Sequence, residues 1–445
     1  MKRMIVKTAL PLLIVCLVFT SFSASVRAAS EEKHWNRWIE RHAHSLDSSD
    51  ASNKDLRFLK KVLKGKRIVQ LGETTHGAGE INATKVRMIK YLHEELGYDV
   101  LAFESGFSDT NASYLNMDQL TSKGTMKNSI YAVWHTEDVV ELFDYMKEQK
   151  EKGDPLILTG FDIQSMKNSF NDAANQWVKA VDPEKAELLS QSENDFSTLV
   201  TNSKTFDEFT QKKEALVKNY QELIKFAETH DSELKAHLPK EPKAYEMFMH
   251  SLQLRIDVME MYMLEEMKEK LKDYPDNIED FSFYMRDRMM AEQFQWVAET
   301  LYPKKKIIVW GHNYHLRKQN TKMIKDWVQL NGPNMGDYLP ERLKEQTYTI
   351  GIYAYSGASL DSDNKTVTPV TSPPPSGSLE ALLKAANHPA VFVDFLHTKN
   401  KKGTSWMYTT RTVLYWGITE EQMILKEQYD GVIWLEHITP SVIIK

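Results

Sequence analysis

Three short segments of this 445-residue chain carry the residue types that hydrolytic chemistry requires. The first is Leu71-Gly72-Glu73-Thr74-Thr75-His76-Gly77-Ala78-Gly79-Glu80, between an apolar run and a helical pattern. A carboxylate and an imidazole three residues apart in such a turn can face one cleft, and glycines let the backbone bend sharply there. The Gly72–Gly77 spacing is that of a phosphate loop, but Ala78 stands where the lysine would be, which argues against nucleotide binding. The second is Phe103-Glu104-Ser105-Gly106-Phe107, where a glutamate ends an apolar run and needs a partner if buried. The third is Trp310-Gly311-His312-Asn313-Tyr314-His315. Imidazole titrates near neutral pH, so His312 is a candidate acid, base or ligand, and His315 reaches the same space if a helix begins there. Asp162, in Gly160-Phe161-Asp162, ends a further run and is suited to orienting a histidine. Each residue also has a plain structural use: Glu73 and Glu104 as helix caps, the histidines as satisfied core or turn residues.

These segments sit where strands should end. Short apolar runs recur at Arg67–Leu71, Asp99–Phe103, Leu156–Thr159, Ile307–Trp310, Thr347–Tyr353, Val391–Phe395 and Val432–Leu435. Amphipathic helical patterns such as Ala83–Leu96 and Thr136–Lys150 lie between the early ones. That alternation predicts an α/β fold, a mostly parallel central sheet flanked by helices. In such sheets ligands bind at the carboxyl ends of the strands. Residues 166–300 are Glu/Lys-rich and read as an inserted all-helical subdomain, with long helices over Phe206–His230 and Lys243–Lys272. The expected organisation is a segment 1–28, a first core part 29–165, the helical subdomain 166–300 and a second core part 301–445. Met247, Met249, Met259, Met261, Met263 and Met267 read as helix core, or as an adaptable apolar wall for a bulky ligand. Asp361–Ser378, with Pro373-Pro374-Pro375, reads as a surface loop.

Composition narrows the function classes. The chain is 42% apolar and 27% charged, which is ordinary for a globular protein, and its net charge of −6 argues against a nucleic-acid binder. Lys2, Arg3 and Lys7 precede the apolar stretch Ala9–Phe22, and Val26-Arg27-Ala28 ends in a small residue. Residues 1–28 therefore read as a cleaved secretory signal, making the protein extracellular with no stable membrane insertion afterwards. Cleavage removes four basic residues and no acids, leaving 52 basic against 62 acidic. It also removes Cys16, the single cysteine, so the mature chain forms no disulfide and offers no thiol nucleophile.

Taken together, Gly72-Glu73-x-x-His76-Gly77, Glu104, Arg286-Asp287-x-Met289-Met290-Ala291-Glu292, Gly311-His312-Asn313-x-His315, and the tail Asp430-Gly431-Val432-Ile433 with Thr439-Pro440 resemble the erythromycin esterase family. The resemblance runs from about residue 35 to the C-terminus. It implies an α/β core with a helical subdomain and hydrolysis of a small-molecule ester or lactone. By position, His76 matches a general base that activates water, and Glu73 and Glu104 match acids that orient it. His312 matches a second essential histidine serving the oxyanion, and His315 a further cleft histidine. A cleft arginine of the macrolide-resistance members falls at Lys85, with Arg87 two residues on. Lysine does not replace arginine at a bidentate site, so the resemblance implies the hydrolytic chemistry more than the macrolide substrate or antibiotic resistance.

No Gly-x-Ser-x-Gly elbow occurs, so direct attack by histidine-activated water is the expected route, without a cofactor. Two other readings stand beside it. The Glu/His cluster could hold a divalent metal for hydrolysis, since zinc or manganese accepts such ligands. Alternatively, an exported binding protein could capture a bulky apolar ligand or serve cell-envelope polysaccharide assembly without catalysis.

Overall fold

The computed structural model describes residues 30–46, 53–165, 168–326 and 331–444. The expected signal, residues 1–28, lies outside them. Each of the seven apolar runs forms a strand of one eight-stranded sheet. In chain order the strands are β1 (His44–Ser45), β2 (Ile68–Leu71), β3 (Tyr98–Gly106), β4 (Ile157–Asp162), β5 (Lys306–Trp310), β6 (Thr347–Ala354), β7 (Ala358–Leu360), β8 (Val367–Pro369), β9 (Ala390–Asp394), β10 (Thr410–Tyr415), β11 (Thr419–Ile424) and β12 (Gly431–Leu435). The sheet order is β1-β9-β12-β6-β2-β5-β3-β4. The six strands from β12 to β4 are parallel, and β9 runs antiparallel to both β12 and β1. Every residue of β2, β6 and β12 is buried, which is why these strands read as unbroken apolar runs: helices cover both faces.

The helices that matter here are α1 (Gly79–Leu96), α2 (Phe107–Leu115), α3 (Glu137–Glu151), α4 (Ser169–Lys179), α5 (Pro183–Thr198), α6 (Phe206–Thr229), α7 (Ala244–Glu260), α8 (Tyr262–Lys270) and α9 (Ser282–Trp296). α1 ends at Gly97, whose φ of 66° supplies the left-handed cap. α3 starts at Thr136, whose hydroxyl accepts the Val139 N–H. Among the described residues no strand lies between Asp162 and Lys306, and α4 to α9 fill that stretch. The helix expected over Lys243–Lys272 is two helices, broken at Met261 (φ −114°, ψ −73°), with no glycine or proline to announce the break. Met247, Met259 and Met267 are buried, and Met249, Met261 and Met263 pack half-buried against the same core. No described helix is long and apolar enough to cross a membrane.

Three features have no counterpart in the expected elements. β1 is a two-residue edge strand, and the hairpins β7–β8 and β10–β11 stand outside the main sheet. The β10–β11 turn holds Trp416 (φ 53°) and Gly417 (φ 71°) in the left-handed region. The C-terminal tail returns over the first helices, with Pro440 bridged to Ala78 and Ile443 to Thr136.

Candidate active site

β2, β5 and β3 are neighbours, so residues just past their carboxyl ends share one crevice. The crevice receives Glu73 and His76 from the β2 turn, His312 from the end of β5 and Glu104 from β3. The imidazoles of His76 and His312 lie 5.2 Å apart, centre to centre. The turns are held close by backbone. Asn313 N–H donates to Glu73 O at 2.8 Å, and Gly311 N–H to Leu71 O at 3.3 Å.

Glu73 is the buried hub. Its Oε1 accepts His76 Nδ1–H at 2.6 Å and the Trp134 indole N–H at 2.9 Å, and its Oε2 accepts Lys85 Nζ at 2.6 Å. Burial works to raise the Glu73 carboxyl. The Lys85 charge and the hydrogen bonds from His76 and Lys85 outweigh it and hold the group below the usual carboxylate range. An ionised Glu73 accepts at Nδ1 and holds the His76 ring with Nε2 turned away from the carboxylate. Lys85 is 0% exposed and lies 4.0 Å from the Trp310 ring centre. Burial pushes its ammonium down to about 8, against the opposing pull of Glu73.

His312 is a different histidine. Its Nδ1 accepts the Tyr314 N–H at 3.1 Å, so the proton sits on Nε2, which points to Thr74 O at 3.1 Å. Burial first, then the neighbouring His76 and His315, hold this ring well below 6.5 and therefore neutral. In this arrangement His312 has no free N–H for an oxyanion and braces the turn that carries His76. Glu104 Oε2 accepts the His312 backbone N–H at 2.6 Å, so it orients the β5 end rather than the base.

His315 lies inside the molecule between two acids, with Nδ1 2.7 Å from Asp287 and Nε2 3.3 Å from Glu104. Burial disfavours its charge, but Asp287 and Glu104 overcome this and raise its pKa. Two further sequence expectations need correction. Asp162 does not orient a histidine: it pairs with Arg286, through Oδ1 at 3.1 Å and a second, shorter contact at Oδ2. Burial opposes ionisation of Asp162, yet Arg286 holds its pKa below the ordinary value. The carboxylate that orients His315 is Asp287, one residue beyond Arg286 along α9. Arg87 is not in the crevice, because two helical residues point about 200° apart. It faces outward to Asp55, at 2.9 Å for one contact, and to Asn53 at 3.0 Å.

The Glu/His cluster does not fit the divalent ion left open by the sequence. Both Glu73 oxygens already accept donors, one of them an ammonium that competes with any cation, and both His312 nitrogens are engaged. Among the described residues no group of three or more His, Cys, Asp or Glu is arranged to hold a metal.

Two aromatic residues complete the surroundings of His76. Trp134 stands edge-on at 4.9 Å and Trp416 edge-on at 5.1 Å, and Trp416 also stacks on His312 at 5.2 Å with ring planes 26° apart. Trp134 lies just before the helical pattern that begins at Thr136. Trp416 carried no sequence signal, because its hairpin is far along the chain and outside the sheet.

A mostly parallel α/β sheet with a carboxylate-held histidine at its strand ends is a framework that many activities share, and the relatives narrow it. The chain belongs to the erythromycin esterase family of hydrolases, whose sequence profile matches residues 93–438. It is 90% identical, over the full length of both chains, to a Bacillus subtilis (strain 168) protein described as "Putative hydrolase YbfO". It is 24% identical over 335 residues to the Escherichia coli erythromycin esterase type II, covering 70% of this chain and 74% of that one. In fold it matches a solved succinoglycan biosynthesis protein with a TM-score of 0.70 at 21% identity, covering 93% of this chain and 99% of the other.

Proposed function

We propose that this hydrolase cleaves a small-molecule ester or lactone by direct attack of a water molecule that His76 activates. The observation that carries the reading is the Lys85–Glu73–His76 relay, with contacts of 2.6 Å at both steps that commit His76 Nδ1 to Glu73. Nε2 takes a proton from water as the oxygen attacks the acyl carbon. The tetrahedral adduct then collapses, the acyl–oxygen bond breaks, and the proton on Nε2 passes to the leaving alkoxide. The products are a carboxylic acid and an alcohol, joined in one molecule if the substrate is a lactone. Glu73 stabilises the imidazolium formed in the first step, and Lys85 keeps Glu73 ionised. Glu104, His312 and His315 hold the strand ends in register around that step.

The test is turnover of a panel of lactones and aryl esters, macrolides among them, by wild type and His76→Ala. The expected loss is about 10²–10⁴-fold, the scale of general-base catalysis, with the fold intact because His76 is only partly buried. Equal turnover by the two proteins refutes the reading, and full activity after chelation is expected of the metal-free route. The proposal includes export, supported by the charged and apolar pattern of residues 1–28. Secreted protein should begin at Ala29, as N-terminal sequencing would show.

A further inference from the structure

We propose that Trp416 is a substrate-contacting residue whose indole forms the wall against which a neutral ester packs a flat apolar acyl group. The inference rests on the hydrolytic reading above and deepens it by naming a substrate class. Position comes first. A water held by His76 Nε2 sits about 2.8 Å from that nitrogen, and an attacked carbonyl carbon about 3 Å further on. The Trp416 ring is centred only 5.1 Å from the His76 ring, nearly perpendicular to it. In the proposal the poised acyl group lies on the side of His76 that faces the indole, and the packing partner of that group is Trp416.

Rigidity comes second. Trp416 has φ 53°, a conformation that bulky side chains rarely adopt. Such residues persist where the surroundings over-determine them, and they cluster at ligand clamps. Here the surroundings are buried ties on both strands of the hairpin. Thr74 Oγ1 donates to Leu414 O at 2.9 Å, Leu414 N–H donates to Glu380 Oε1 at 2.8 Å, and Arg317 pairs with Glu421 at 2.7 Å. Thr74 belongs to the His76 turn, so wall and base are fixed to each other.

Charge comes third. Each cation of the crevice is already paired with an acid: Lys85 with Glu73, Arg286 with Asp162, and His315 with both Glu104 and Asp287. An anionic substrate would have to take one of these cations from its acid, whereas a neutral one meets Trp134, Tyr415 and Trp416.

The experiment measures kcat and KM of wild type, Trp416→Gly, Trp416→Phe and His76→Ala with 4-nitrophenyl acetate, 4-nitrophenyl benzoate and the anionic 4-nitrophenyl hemisuccinate. Wild type should favour the benzoate and discriminate against the hemisuccinate. Glycine suits the left-handed turn, so Trp416→Gly should keep its melting temperature within about 3 °C. It should raise KM for the benzoate by about tenfold or more, the scale of an apolar pocket contact, and KM for the acetate by a several-fold smaller factor. Trp416→Phe should retain most of the preference. An unchanged benzoate-to-acetate ratio in a folded Trp416→Gly protein, or equal losses on both esters, overturns the inference. A wild-type preference for the hemisuccinate overturns it as well. The His76→Ala arm reports separately on the hydrolytic reading: undiminished turnover there sinks that reading whatever Trp416 does.

Discussion

Lys85 makes the structure testable by pH. Its ammonium is fully buried, 2.6 Å from Glu73 and 4.0 Å from the Trp310 ring centre, and burial moves its pKa from 10.5 to about 8. At about 1.4 kcal/mol per pH unit, that gap corresponds to about 3 kcal/mol. Between pH 8 and 10.5 the unfolded chain holds a proton at this position that the folded chain has released. The stability Lys85 contributes is therefore fully present above 10.5 and lost as pH falls through 8. Lys85→Met has no such dependence. Urea unfolding of both proteins across this range should show wild type gaining about 3 kcal/mol relative to the variant, with other titrating groups cancelling in the difference. A flat difference, or one of opposite sign, refutes the assignment. Activity should follow the same group. Above pH 8 the neutral amine no longer offsets Glu73, so kcat/KM should fall with a limb near 8. Lys85→Arg, if it folds, should lack that limb because guanidinium keeps its charge. A wild-type profile flat through pH 8 would show that the relay ends at Glu73.

Three more outcomes follow from single contacts. Burial pushes the Glu380 carboxyl from 4.5 up to about 7, so its stabilising effect is complete below 4.5 and lost as pH rises through 7. Wild type should lose about 3 kcal/mol relative to Glu380→Gln between pH 4.5 and 8, read from unfolding midpoints. A methyl group on Gly77 would meet Leu360 O at 2.2 Å, so Gly77→Ala should cost about 1–3 kcal/mol in thermal unfolding and lower activity by shifting His76. Arg87→Ala should leave kcat/KM within about twofold, because Arg87 binds Asp55 and Asn53 away from the crevice, and lose about 1 kcal/mol or less of stability.

The juxtaposition of Glu73, His76, Glu104 and His312 was legible because parallel strands announce themselves as apolar runs and their carboxyl ends must converge. What the sequence could not carry was partner choice. Asp162 and His315 both sit near α9, and only the docking of that helix decides that Arg286 goes to one and Asp287 to the other. Arg87 was misplaced because nearness along the chain was read as nearness in space, although helical periodicity turns it away from Lys85. The tautomer of His312 depends on a backbone N–H two residues on, which no residue pattern encodes. Trp416 stayed invisible because nothing in a short hairpin says which part of the molecule it will lie against.

The position of β5 has a consequence for how the molecule comes into being. This strand, residues 306–310, is the one that separates β2 from β3, so the turns bearing His76 and Glu104 gain their common neighbour only late in synthesis. A nascent or proteolytically shortened chain that stops among the helices already contains Glu73, Glu104 and His76, yet lacks the strand that lies between their turns. The central position of the catalytic candidates in the finished sheet thus depends on five residues that come more than two thirds of the way along the polypeptide.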